Sequence, residues 1–188
     1  MMSKKNKQLR VDGKRVFLRY PKRKDAERFL ALSKSSVNFH RGLVSPPKDK
    51  KSFEKHLEIS KSNAHEMFLI CEKSSESIIG VMNLSQIFYG KFKNAYLGYY
   101  LFEKYSRQGY MTDAILTVLR FAFRDLKLHR LEANIQPNNF SSIGLVKKCG
   151  FRYEGLSQKY LKIGGIWRDH ERWAIIREDL KRSSGKKI

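Results

Sequence analysis

A chain of 188 residues is long enough to form one domain with a substantial hydrophobic core. Hydrophobic residues make up 41% and aromatic residues 12%, which excludes a disordered polar chain, and no apolar run reaches the roughly 20 residues that span a bilayer. The 39 lysines and arginines against 18 acidic residues give a formal charge of +21, so the chain suits polyanionic surroundings such as RNA, ribosomes or anionic ligands.

The basic residues are concentrated toward the two ends of the chain. We predict a basic tail at 1–8, one domain at 9–178 and a second basic tail at 179–188, both tails being solvated or disordered. The basic start is not followed by an apolar segment, so we expect no secretory signal, no membrane association and a cytoplasmic protein. Cys71 and Cys149 show no metal-ligand spacing, which predicts reduced core thiols and no metal site.

The first predicted elements alternate between strand and helix. Residues 9–20 are typical of a strand or hairpin, which Pro21 ends, and the next apolar pattern predicts a helix over 24–34. The segment 37–47 contains a glycine and a pair of prolines, so we predict irregular structure there. A second helix is predicted over 49–62.

Three strands are predicted next, over 67–73, 77–88 and 92–101. The last of them leads into the clearest helix of the chain. Its one-sided apolar stripe consists of Met111, Ala114, Ile115, Val118, Leu119, Ala122 and Leu126.

The remaining predicted elements form a strand, a short helix and a long hairpin. They are a strand over 129–136, a helix capped by Asn138 or Asn139 and ending at Gly150, and a hairpin of 151–163 and 167–177 that turns at Gly164 and Gly165. Helices thus interrupt a strand-rich chain without a repeat or an internal linker. This pattern predicts one α+β or mixed α/β domain.

The junction at 99–112 has the order strand, basic glycine turn, helix. The first N–H groups of a helix have no intrahelical acceptor, and the helix dipole places about half a positive charge there, so such a turn can hold a diphosphate. Gly109 would allow close approach of the backbone, and Arg107 would add a cation. The turn has neither the Gly-Lys-Ser/Thr ending of a Walker loop nor the three glycines of a dinucleotide fingerprint. The alternative is an ordinary turn capped by Thr112.

Three further motifs accompany this turn in the chain. They are Pro-Asn-Asn-Phe-Ser-Ser at 137–142 followed by Gly-Phe at 150–151, Gly-Ile-Trp-Arg-Asp-His at 165–170, and the loop at 39–47. In this order the four motifs resemble those of the GNAT acetyltransferase superfamily, in its RimJ/RimL-like branch. Ser106 stands where that family usually has Gln or Arg, Met111 where it has Gly or Ala, and Tyr96 where it often has Glu.

The resemblance implies a fold and a cosubstrate. The implied fold is the single-domain GNAT fold, a central mixed and mostly antiparallel sheet flanked by helices. The implied cosubstrate is acetyl-CoA, without a metal. Its pantetheine arm would lie in a parting between the strand that ends near Tyr100 and the strand that ends near Gln136, with the acetyl group near Tyr99 to Phe102. The implied cosubstrate contacts are Tyr100, Leu101, Phe102, Arg107, Gln108, Gly109, Tyr110, Met111, Thr112, Asn139 and Ser142.

The resemblance also implies how acetyl transfer would be catalysed. Asn139 would bind the pantetheine and Ser142 would protonate the departing thiolate, although helix capping is an alternative for both residues. Glu103 and His170 are the candidate general bases. A surface acid and a structural pair with Asp169 are their alternatives, and a chain of water molecules could serve as the base instead.

The acceptor would be a primary amine, most simply the N-terminal amine of a ribosomal or other protein. His40, Arg41 and Trp167 are the residues expected to line its site, with loop packing and a solvated charge as the alternatives for His40 and Arg41. A small-molecule acceptor is the second hypothesis, although the charge of +21 disfavours polyamines. A non-catalytic protein of the same fold that binds RNA or the ribosome is the third.

Overall fold

The computed structural model describes residues 9–184, which form an eight-stranded sheet with helices on both faces. The strands are β1 (Arg10–Asp12), β2 (Val16–Arg19), β3 (Glu66–Glu72), β4 (Ile78–Phe88), β5 (Asn94–Leu101), β6 (Arg130–Ile135), β7 (Arg152–Ile163) and β8 (Ile166–Ile176). The helices are α1 (Ala26–Ser35), α2 (Val37–His40), α3 (Lys50–Ser60), α4 (Tyr110–Arg124), α5 (Phe140–Lys148) and α6 (Arg177–Ser184), with short 3-10 segments at Arg23–Asp25 and Glu103–Tyr105.

The sheet has the strand order β1-β2-β3-β4-β5-β6-β8-β7. Only β5 and β6 run parallel, while every other neighbouring pair is antiparallel. The prediction of a mixed, mostly antiparallel sheet is therefore confirmed. The last strand of the chain, β8, lies between β6 and β7 and joins β7 to the sheet.

Alternation along the strands divides the apolar side chains between two cores. On one face, the stripe of α4 packs against the sheet, with Ala114, Ile115, Val118 and Leu119 fully buried. On the other face, Phe29 of α1 and Phe53 of α3 form the second core. The apolar faces of these helices are buried against opposite faces of the sheet. The helices α4 and α5 therefore lie on one side of it, and α1 and α3 lie on the other.

The Asp113 carboxylate links α4 to the N-terminal hairpin, which consists of β1, β2 and the turn between them. The Asp113 side chain accepts backbone hydrogen bonds from Lys14 at 3.0 Å, Arg15 at 2.7 Å and Val16 at 3.0 Å. The turn can approach this closely because residue 13 is glycine, where an added Cβ would lie 2.5 Å from the Thr117 hydroxyl oxygen. The first turn of α4 is thereby fixed to the hairpin almost 100 residues upstream.

The structure differs from the sequence prediction at two short helices. Residues 37–47 were expected to be irregular, but α2 forms within them and His40 at its end bonds to the distant Leu101. The helix α6 extends from the predicted domain into the predicted C-terminal tail, and Asp179 in its first turn accepts from the Ile176 N–H at 3.1 Å and from Arg152. The tail segments 1–8 and 185–188 lie outside the described residues.

Both cysteines are free and buried, as predicted. Burial raises the pKa of the Cys149 thiol to about 11, so this thiol stays protonated at neutral pH and is a poor nucleophile. Within residues 9–184, the structure contains no group of three or more side chains suited to a metal ion. No helix in that range is both long and apolar enough to cross a bilayer.

We expect Asp113→Ala to lower the free energy of unfolding by about 2–4 kcal/mol, because three N–H groups lose a charged acceptor at once. Urea denaturation of the full chain measures this loss. The matched control is Asp125→Ala, which removes an exposed carboxylate at the other end of α4 whose one ion pair within the described residues is with Arg124. The control should change stability by less than about 1 kcal/mol. Equal losses in the two variants would contradict the fastening role of Asp113.

Candidate active site between two parting strands

The central feature of the site is the point where β5 and β6 separate. Their parallel pairing covers Asn94 with Arg130, Ala95 with Leu131, and Tyr96 with Glu132, and then stops. Beyond it, β5 stays paired with β4 as far as Leu101, and β6 stays paired with β8 as far as Ile135. A slot therefore opens between the C-terminal ends of the two strands, as the sequence predicted, with α4 following one strand and α5 following the other.

The turn before α4 presents free backbone donors. Gly109 has φ +80° at the cap position of the helix, and no side chain caps the helix there, so the alternative turn capped by Thr112 does not form. In the range that the structure describes, the backbone N–H groups from Arg107 to Thr112 have no acceptor. The Gln108 carbonyl is held by the Arg15 guanidinium at 2.7 Å. The arrangement leaves the donors of this turn available to an anion.

Contacts between Tyr110 and two residues of neighbouring strands and turns hold this turn in place. The Arg15 guanidinium carbon lies 4.2 Å from the ring centre of Tyr110, whose hydroxyl donates to Glu72. Tyr110 and Met111 are otherwise buried in the core beneath the sheet. Because both side chains are engaged, these two residues can meet a ligand only through their backbone N–H groups. Arg107 is exposed and forms no ion pair within the described part of the chain, so it can supply a cation.

Two hydroxyl groups meet on the α5 side of the slot. The Asn139 side chain accepts from the Ser142 N–H at 3.2 Å, so Asn139 rather than Asn138 caps α5. The Ser142 hydroxyl makes no capping bond and lies beside the hydroxyl of Tyr99. The Tyr99 hydroxyl is buried without a hydrogen-bond partner among the described residues. Burial raises the pKa of Tyr99, with Ser142 acting in the opposite direction, so Tyr99 keeps its proton at neutral pH.

A strap formed by residues 37–44 joins the ends of the two parting strands. His40 donates from Nε2 to the Leu101 carbonyl at the end of β5, at 2.8 Å. Gln136, just beyond β6, donates to the Gly42 carbonyl at 2.8 Å. His40 is buried against the Tyr100 ring, and burial lowers the pKa of His40. Since Nε2 carries the proton, Nδ1 is the unprotonated nitrogen, and it has no partner among the described residues.

The structure places two of the predicted cosubstrate contacts on the other face of the sheet. Tyr100 packs against His40 and Phe102 in the α1 and α3 core, and Phe102 is fully buried there. The backbone of Phe102 is also engaged, because its N–H donates to Ile79 at 3.0 Å and its carbonyl accepts from Tyr105 at 2.9 Å. Phe102 is therefore a core residue and is not open to a ligand. Tyr99 is the tyrosine that shares the slot with Ser142.

The predicted bases lie in different surroundings. Glu103 is exposed, and its N–H donates to the Ser36 hydroxyl at 3.0 Å. His170 is buried and donates from Nδ1 to the Arg168 carbonyl at 3.0 Å, which leaves the lone pair on Nε2. Asp169 instead accepts from the Lys159 N–H, so the expected pair of Asp169 with His170 does not form. One step along β8, Glu171 pairs with Ile135, so the same register brings His170 level with Gln136, just beyond the C-terminal end of β6.

The other residues expected to bind the acceptor lie at the surface. Arg41 is exposed on the strap and donates to Asn38 at 2.9 Å. Trp167 is 57% exposed on the part of the hairpin that projects past the pairing of β8 with β6. Within residues 9–184 it makes no hydrogen bond or ring contact with His40 or Ser142. The structure therefore does not bring Trp167 together with the residues of the slot.

Three residues of the site were not singled out from the sequence, namely Arg15, Asp113 and Gln136. Tyr99 belongs to the segment expected near the acetyl group, and strict alternation along the strand distinguishes it from Tyr100, because Ala95 and Leu97 of the same strand face α4. An acid in the first turn of a helix is a known stabilising signal and would have pointed to Asp113. No sequence signal identifies Arg15 or Gln136, since both act on distant backbone carbonyls.

Comparison with known proteins identifies the family. A family model described as an acetyltransferase (GNAT) domain matches residues 15–152. A Bacillus subtilis protein named as a probable N-acetyltransferase, YjcK, is 33% identical over 177 residues, covering 90% of this chain and 98% of the relative. The ribosomal protein uS5-alanine N-acetyltransferase of Escherichia coli is 35% identical over 122 residues, covering 65% of this chain and 63% of that enzyme.

Solved structures share the fold. Mycobacterium smegmatis RimJ in complex with CoA-disulfide has a TM-score of 0.84 at 24% identity, over 95% of this chain and 96% of that one. A Vibrio cholerae spermidine N-acetyltransferase in complex with CoA and spermine has a TM-score of 0.76 at 21% identity, over 89% and 98%. At these identities the likeness concerns the fold alone. The family model and the YjcK match decide the assignment: the chain belongs to the GNAT acetyltransferases and is an acyltransferase with RimJ-like relatives.

Proposed function

We propose that the chain transfers the acetyl group of acetyl-CoA directly to the N-terminal amine of a ribosomal or other protein. The observation that carries the proposal is the slot between β5 and β6, which leads from the open N–H groups before α4 to the hydroxyls of Tyr99 and Ser142. Members of this family use acetyl-CoA, which supplies the thioester that the amine attacks.

The residues present fit such a cosubstrate. Its diphosphate would bind the backbone donors of 107–112, with Gly109 allowing close approach and Arg107 adding charge. Its pantetheine would lie in the slot, where unpaired backbone groups of β5 and β6 face each other and the Asn139 side chain is near. The buried, unpartnered Tyr99 hydroxyl supports this placement, because a bound ligand would give it a partner.

The hydroxyl groups in the slot have a clear chemical use. A departing thiolate needs a proton, which the Ser142 hydroxyl can donate, and solvent returns a proton to Ser142 before the next turnover, while Tyr99 keeps its own. The attacking amine must be neutral, so a group at the mouth of the slot must accept its proton. Of the two predicted bases His170 fits better than Glu103, because His170 is buried beside Gln136 with its lone pair on Nε2, whereas Glu103 faces solvent.

Two findings support a protein N-terminus as the acceptor. The Escherichia coli relative is named for acetylating an alanine of ribosomal protein uS5. The charge of +21 repels polycationic acceptors and attracts the polyanionic surface of the ribosome. The spermidine enzymes share only the fold, so they do not favour a polyamine acceptor.

The decisive experiment incubates the full chain with isotopically labelled acetyl-CoA and salt-washed ribosomes, then maps acetylated positions by mass spectrometry. We expect the label on the N-terminal amine of one or a few ribosomal proteins. A parallel reaction uses the low-molecular-weight fraction of a lysate. Label found only on small amines in that fraction would overturn the proposed acceptor.

We expect Gly109→Asp to weaken CoA binding by about 100-fold or more, because it places a carboxylate beside the diphosphate and a Cβ at φ +80°. Isothermal titration calorimetry with CoA measures the affinity. The matched control is Gly165→Asp, which adds the same side chain at φ +84° with nothing within 4 Å, at the tip of the β7–β8 hairpin. Similar affinities in the two variants would show that the α4 turn does not bind the diphosphate.

We expect Ser142→Ala to lower kcat roughly 100-fold, the lower end of the effect of a positioned proton donor, while the Kd for CoA changes little. The melting temperature should stay unchanged because the Asn139 side chain, not the Ser142 hydroxyl, caps α5. Ser141→Ala removes an exposed hydroxyl one residue away and serves as the control. A loss of stability in Ser142→Ala without a separate fall in kcat would assign the hydroxyl a structural role only.

A further inference from the structure

The turn between β4 and β5 has an unusual composition for a hairpin end. Residues 88–93, the distal hairpin, read Phe-Tyr-Gly-Lys-Phe-Lys, and all six are exposed. Phe88 is 45% exposed, Tyr89 51% and Phe92 54%. Turns of this kind require glycine, asparagine or aspartate and have no need of three aromatic rings. Exposed aromatic clusters in a soluble domain mark binding surfaces.

The distal hairpin is held rigidly. Just before it, Ile87 is buried in the core and its N–H donates to the Ala64 carbonyl at 2.9 Å. At its end, the Lys93 carbonyl accepts from the N–H groups of His129 and Arg130, at 2.8 and 3.1 Å. The Phe88 and Phe92 rings lie 5.7 Å apart, inclined by 44°. A platform that is already ordered loses little entropy when a ligand binds it.

The charge at this end of the sheet is positive. Lys91 and Lys93 in the distal hairpin and Lys127 in the next loop are exposed, and none of the three forms an ion pair within residues 9–184. Asp125 and Glu178, exposed acids on the neighbouring loop and on α6, are each already paired with a cation. Among these exposed charged side chains, those without an ion-pair partner within the described residues are therefore cationic.

The distal hairpin lies at the opposite end of β5 from the slot. The eight residues from Asn94 to Leu101 separate the two by on the order of 25 Å. None of the residues assigned to acetyl transfer belongs to it. A ligand bound here would leave the slot open.

We propose that the distal hairpin is a binding surface for single-stranded RNA. Bases would stack on the exposed faces of Phe88, Tyr89 and Phe92, and the lysines would contact the phosphates, which is how proteins bind single strands without sequence preference. A membrane surface is less well matched, because the distal hairpin presents two phenylalanines on a short turn and not the extended apolar face that an interfacial helix inserts into lipid. The inference makes no assumption about the acetyl acceptor.

The test is fluorescence anisotropy of the full chain with a fluorescein-labelled 12-nucleotide oligouridine. The wild type should bind, and Phe92→Ala should weaken binding about fivefold or more, the low end of the effect of one stacked base. Tyr153→Ala is the matched control, since Tyr153 is 53% exposed on β7 in another part of the surface, and it should bind like the wild type. Phe92→Tyr should retain binding and Phe92→Leu should weaken it as much as Phe92→Ala does, because only the aromatic ring stacks.

The lysines are tested through the salt dependence of the same binding. Removing two phosphate contacts in Lys91→Ala/Lys93→Ala should reduce the slope of log K against log salt by about 1.4. Lys22→Ala/Lys24→Ala removes two exposed lysines near α1 and should leave the slope unchanged. Circular dichroism melting of each variant shows that the fold is retained.

Several outcomes would overturn the proposal: absence of oligouridine binding by the wild type, equal binding by Phe92→Ala and Tyr153→Ala, or equal slopes in the two double-lysine variants. Binding to phosphatidylglycerol vesicles that persists in Phe92→Leu, without oligouridine binding, would identify a membrane surface instead. Acetylation of a short neutral peptide by the same variants is measured separately. The two measurements are independent, so the proposal of RNA binding can be contradicted without contradicting the proposal of acetyl transfer, and the proposal of acetyl transfer can be contradicted without affecting that of RNA binding.

Discussion

The architecture of the site depends on the short length of the parallel pairing between β5 and β6. Only three residue pairs join the strands before each follows its outer neighbour. Gly80 of β4 allows β5 to stay close to β4. A Cβ at residue 80 would lie 2.4 Å from the Tyr100 carbonyl oxygen and would force β4 and β5 apart. The slot, the open turn before α4 and the capped start of α5 all follow from this divergence.

The structure holds the divergent ends in place with hydrogen bonds from distant parts of the chain. Asp113 and Arg15 fix the turn before α4 to the N-terminal hairpin, and the strap at 37–44 connects the ends of both strands. Each of these bonds joins a side chain to a backbone group at least 60 residues away in the sequence. The opening is therefore rigid without being filled, which suits a site that must accept a long, flexible cosubstrate.

Local patterns were sufficient to predict most of the fold. The apolar stripe of α4, the alternation in β6 and the cap at Asn139 identified those elements, because their stabilising contacts follow the periodicity of the sequence. Prediction failed where a contact with a distant backbone group decides the structure. His40 stabilises α2 through Leu101, and Arg15 reaches Gln108, neither of which leaves a periodic trace. Within the site, side chains alternate along β5, so Tyr99 and Tyr100 lie on opposite faces of the sheet, a distinction that the family motif alone does not make.

The position of β8 has a consequence for the order in which the enzyme can assemble during synthesis. This strand is made last among the eight, yet it lies between β6 and β7, and β7 contacts the sheet only through it. A nascent chain that ends before β8 can form the first five strands and α4 but leaves the outer edge of β6 bare. One wall of the slot then has no support. Productive folding must wait until β8 has been made, and until then β6 exposes a pairing edge that chaperones or a second nascent chain could occupy.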